Sequence, residues 1–144
     1  MNQMQHPPSQ VMRQVLIDLA VATDGGTWPV YHGREPASPD NCVTVYTTQG
    51  STLSRVMIDG RIVEKRGIQV RVRSREETPG WLKADEIRTT LAQSLYRKVV
   101  HVESVSYYVH SADRIGEIMS LGTEAPTTGR NLFTLNFVAS IRET

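Results

Sequence analysis

Apolar positions at three- and four-residue spacing open the chain: Val11, Val15, Leu16, Leu19 and Ala22 share one side of a helix that Ser9 caps behind Pro7 and Pro8. Asp24-Gly25-Gly26 ends it. The period then changes to two. CVTVYTT sets Val43, Val45 and Thr47 against Thr44, Tyr46 and Thr48, and IQVRVRSR sets Ile68, Val70 and Val72 against Gln69, Arg71, Arg73 and Arg75. Both read as strands, the second with one packed face and one row of guanidinium groups. Asp59-Gly60 between them accepts the positive φ angles of a tight hairpin turn. Thr78-Pro79 starts a second helix over roughly 80 to 98, striped by Ala84, Ile87, Leu91 and Leu95. Three further strands follow, in VHVESVSYYVH, in RIGEIMSL and, after a TEAPTTG turn, in RNLFTLNFVASIRE.

The order helix, strands, helix, strands predicts an α+β fold: one domain over 1–144, with an antiparallel or mixed β-sheet and two amphipathic helices packed on one face. Residues 1–8 read as a flexible N-terminus. Residues 27–41 read as a Pro-rich connection, pinned by Trp28 and Tyr31.

Composition sharpens this picture by exclusion. The 144 residues carry 16 Lys and Arg against 15 Asp and Glu, so bulk charge does not draw the chain to nucleic acid or acidic lipid. A lone Cys42 excludes an internal disulfide and any CxxC site, and reads as a small buried hydrophobe. The N-terminus lacks a signal-peptide pattern, and no run approaches the roughly 20 apolar residues of a membrane span. No catalytic, phosphate-binding or calcium motif is present, and His6, His32, His101 and His110 are not clustered as metal ligands would be. The expectation is no enzyme, no cofactor and no metal.

One asymmetry remains. From Arg55 to Arg75, seven cations (Arg55, Arg61, Lys65, Arg66, Arg71, Arg73, Arg75) face only Asp59 and Glu64. The segment reads as a contact surface for an acidic protein or a phosphate backbone, or as a solvated sheet face. Few aromatic rings interleave with it, which disfavours single-strand nucleic-acid binding.

Several stretches together resemble a known family. They are the leading helix, the proline-rich link ending in SPDNCVTVYTTQG, the strand RGIQVRVRS, the helix WLKADEIRTTLAQSL and the closing LGTEAPTTGRNLFTLNFVASI. From about residue 10 to 142 the chain is similar to phage minor capsid proteins that act as tail terminators in the neck of long-tailed bacteriophages. The resemblance implies a structural virion protein that forms a ring, a hexamer, on the tail tube. It would stop tube growth and dock the head connector. It implies the tail tube protein and the head-tail connector protein as partners, DNA only in passage through the ring, no membrane, and assembly in the host cytoplasm. A head-completion or connector-adapter protein shares these traits, and a nucleic-acid-binding module using residues 55–75 is a third reading. Candidate subunit or partner contacts are Arg66, Arg71, Arg73, Arg75 and Arg130, since a ring of identical subunits needs unlike surfaces to meet and arginine forks pair with acids across them.

Overall fold

A computed structural model describes residues 4–55, 62–123 and 129–143. Two helices and six strands follow one another as α1 (Pro8–Asp18), β1 (Val30–His32), β2 (Cys42–Arg55), β3 (Ile62–Ser74), α2 (Glu77–Gln93), β4 (Lys98–Val102), β5 (Val105–Thr123) and β6 (Asn131–Glu143). The strands form one curled sheet in the order β1-β2-β3-β6-β5-β4. It is mixed, because β1 runs parallel to β2 while every other neighbouring pair is antiparallel.

Register fixes which side chains share a face. Val43 lies opposite Val72 and Val45 opposite Val70; across β3, Val72, Val70 and Ile68 meet Phe133, Leu135 and Phe137. These residues, with Tyr107, Val109, Ala112, Ala139 and Ile141 from the far side of the sheet, are buried together. Val11, Met12, Val15 and Leu16 of α1 and Ala84, Ile87 and Leu91 of α2 complete the core. Gly80 lets α2 sit close: a Cβ there would lie 2.7 Å from the Cβ of Ser74 and 2.8 Å from the ring of Phe133.

Element boundaries differ from the sequence reading for identifiable reasons. Pro8 occupies the first turn of α1, where a missing N–H costs nothing, and the Pro7 carbonyl accepts from Gln10 and Val11 at 3.0 and 3.3 Å. Ser9 is therefore inside the helix, not its cap. It is buried, and its N–H donates to Thr47 Oγ1 at 3.1 Å. Residues just before Pro8 bond to distant strands. His6 N–H donates to the Tyr107 hydroxyl at 3.0 Å, and Gln5 reaches Glu143 at 3.1 Å. The helix stops at Asp18, before the expected glycines, because Ala20 takes a left-handed φ of 61°.

Helix α2 also starts and stops early, with Thr78 and Pro79 in its first turn rather than ahead of it, and Arg97 at φ 51° beyond its end. VHVESVSYYVH is not one strand. Glu103, at φ 56°, folds it into a β4–β5 hairpin, and β5 then continues through RIGEIMSL with register irregularities between Ile115 and Met119 and between Ser120 and Gly122. Asp59-Gly60 lies outside the described residues. Among the described residues, no helix is long and apolar enough to cross a membrane.

Candidate interface: an arginine clasp

The strand β3 alternates as its sequence requires, so Arg71 and Arg73 project from the face opposite the Val70 side. That face is not open. The Pro-rich connection, after contributing β1, returns across it. Arg73, 2% exposed, donates from Nη2 to the Pro39 carbonyl at 2.7 Å and from Nε to the Asp40 carbonyl at 3.3 Å. Its Nη1 stands 3.7 Å from Glu35 Oε1. Arg71 reaches the other oxygen of the same carboxylate at 3.3 Å, and its guanidinium stacks 5.5 Å over the Tyr46 ring. From β6, Arg130 Nη1 donates to the Ala37 carbonyl at 2.7 Å and lies 3.6 Å from Asp40. Three guanidinium groups thus hold one loop by its carbonyls and two acids. Forked donors suit that task, since each can serve several acceptors at once.

Arg75 differs. Its backbone N–H donates to Asn41 Oδ1 at 2.9 Å, while its side chain is 78% exposed and only loosely near Asp40, at 3.9 Å. Arg66 lies on the other face, in the alternation of Ile68 and Val70, opposite Ala139 of β6. The expected row is therefore divided into a largely buried clasp and one outward arginine, while Arg66, a separate contact candidate, lies on the opposite face.

Beneath the clasp, Cys42 and Thr44 are fully buried. Burial is the main cause pushing the Cys42 thiol above its ordinary pKa, with Arg73 pulling the other way. Cys42 is a free, buried thiol, as its sequence context suggested. Histidines are spread apart: His6 bonds Tyr107, and His101 bonds Ser106. Burial, then Arg13, lowers the pKa of His32. No cluster of three or more possible metal ligands occurs among the described residues.

A family model for the bacteriophage tail terminator protein matches residues 16–143. The chain belongs to that family. As a tail terminator family member it is a structural virion component. One chain of the virion of a native gene transfer agent particle is 13% identical, with 94% of this chain and 92% of that one covered and a TM-score of 0.48. No curated protein matches the sequence.

Two features escaped the sequence reading. Glu35 and Asp40 partner the arginines, although GREPASPDN places both acids among prolines in the very segment read only as a connection. The second is on β5, where Ile115, Met119 and Leu121 are 54, 55 and 45% exposed. Their signal was an apolar run on a strand whose neighbours do not alternate cleanly.

Proposed function

We propose that this protein is a tail terminator: a non-enzymatic ring, six copies in number, that sits on the head-proximal end of the tail tube and presents the surface to which the head connector docks. The match of the tail terminator model over nearly the whole chain carries this reading. The tube protein and the connector are its partners, DNA passes through the ring without being read, and assembly takes place in the host cytoplasm.

In this reading both helices pack on the apolar face of the sheet. Gly80 of α2 against Phe133, and Ser9 of α1 bonded to Thr47, support that placement. The opposite face then carries the strap formed by residues 33–41. Arg71, Arg73 and Arg130 act on partners by holding that strap in shape, and Arg75 is the arginine placed to touch a neighbour directly. Arg66, half-buried on the helix side, is a candidate contact there.

Electron microscopy of a lysate from the source phage with this gene disrupted tests the reading. Unattached heads beside tails of irregular or excessive length are expected. Tailless heads beside tails of normal length would assign the chain to the connector instead, and intact virions would overturn both.

A further inference from the structure

Both outer edges of the sheet are covered for only part of their length. β1 pairs with β2 only as far as Val45, and β4 pairs with β5 only as far as Val109. Among the described residues, no strand lies outside β2 from Tyr46 onward or outside β5 from Ser111 onward. Such edges present rows of backbone donors and acceptors that another strand can take. Monomeric proteins commonly guard them with Lys or Pro. Neither residue type occurs in residues 46–55 or 111–123. Register irregularities, which also blunt an edge, lie at Thr48/Ser51 and Thr52/Ser54 of β2 and at Ile115/Met119 and Ser120/Gly122 of β5, leaving regular edge at Tyr46–Thr48 and Ala112–Ile115. The β5 edge instead exposes Ile115, Met119 and Leu121.

The two edges are complementary in sense. From β2 to β3 to β6 to β5 every step is antiparallel, so β2 and β5 run in opposite directions. A second copy, turned about an axis near the strand direction, therefore brings its β2 antiparallel to this β5. That is the more stable pairing. On β5, Asp113 is paired with Lys65 at 2.7 Å and Glu117 stands 3.6 Å from Arg114. A groove of about 580 Å³ between the end of α2 and β5, lined by Leu91, Leu95, Tyr96, Ala112 and Arg114, gives an incoming strand a side wall.

We propose that the β2 edge of one copy adds to the β5 edge of the next, so that the ring is closed by a continuous belt of sheet. Unlike edges meet, which is the head-to-tail contact a closed ring requires. The inference rests on the ring reading above.

Register supplies the test. Thr48, Gly67, Val138 and Asp113 form one row across the sheet, with Ile115 two residues further along β5. Copies related by such a rotation keep their heights, so Thr48 of one faces Asp113 of the next, or Ile115 after a two-residue slip. Thr48, Asp113 and Ile115 are all exposed, and the native Cys42 is buried. Phages carrying Thr48→Cys with Asp113→Cys, or Thr48→Cys with Ile115→Cys, are grown, and their virions are treated with a short bismaleimide. A covalent ladder ending at the full ring is expected from one of the two pairs, with none from the single substitutions.

Virions that hold a full complement of the chain yet give no ladder from either pair would overturn the edge pairing and leave the ring standing. Wild-type virions that hold fewer copies than any ring needs would overturn the ring, and the pairing with it. A second variant, Ile115→Lys with Met119→Lys, places charge on the edge at exposed positions. It is expected to melt as the parent does and to be lost from virions; its retention in normal virions would also overturn the pairing.

Discussion

Arg73 Nη2 and the Pro39 carbonyl oxygen meet at 2.7 Å, joining a central strand to a loop that the chain laid down thirty-four residues earlier. The guanidinium is buried, and the carbonyls of Pro39 and Asp40 and the carboxylate of Glu35 help to offset its cost of leaving water.

Arg73→Met should accordingly destabilise the fold by about 1–3 kcal/mol, because it takes the donors from two loop carbonyls and one of the two arginines from the half-buried Glu35 carboxylate. Arg73→Lys should recover only part, keeping the charge but losing the fork. Urea unfolding of the purified chain measures both, and equal stability of Arg73→Met and the parent would show that the clasp contributes nothing.

Cys42 gives a pH-dependent readout of the same region. Its thiol pKa is raised by burial, so the folded protein favours the neutral form. That preference stabilises fully below the ordinary thiol pKa of about 8.5 and is lost as pH climbs through the raised folded value. Stability should therefore fall between these two pH values, and fall less in Cys42→Ala. Thiol labelling at pH 8 should be slow in the parent and at least tenfold faster in Arg73→Met, where the strap no longer shields the sulfur.

Gly80→Ala tests the contact of α2 with β6. Alanine would favour the helix by about 1 kcal/mol in isolation. Here its methyl meets Ser74 and the Phe133 ring inside van der Waals distance, so a net loss of about 1–3 kcal/mol is expected. A raised melting temperature would mean that α2 shifts away from the sheet at little cost.

Tyr107→Phe removes the hydroxyl that accepts from the His6 backbone N–H and bonds its ring at 2.6 Å. About 1 kcal/mol should be lost, concentrated at residues 4–7. Hydrogen exchange or limited proteolysis ahead of α1 should rise while protection in β3 and β6 is unchanged; uniform loss of protection would contradict a local tether.

Much of the fold was legible because one-sided burial writes itself as periodicity. Val43 and Val45, Ile68 to Val72, and Ala84, Ile87 and Leu91 each showed the period of the element they form. Backbone reversals were less legible where no glycine marks them. Ala20, Arg97 and Glu103 take left-handed angles on residue types that give no such signal, which is why α1 and α2 end early and β4 separates from β5. The arginine row was visible as an alternation, but its cover was not. Alternation tells which side a residue faces, and a loop returning from thirty residues away decides whether that side meets water. Likewise nothing local told that β4 would be five residues long beside a β5 of nineteen, leaving the longer strand uncovered.

Because β1 runs parallel to β2, the chain cannot pass from one to the other by a tight turn. It leaves β1 at His32, level with Val45, and must travel back to begin β2 at Cys42. The nine residues between can span about 30 Å, while the retreat along three paired positions is only about 10 Å. The slack is taken up by the sideways path over the arginines. Loop length is thus a topological constraint here: deletions in 33–41 should detach the first strand, whereas insertions would lengthen an arch that already has room.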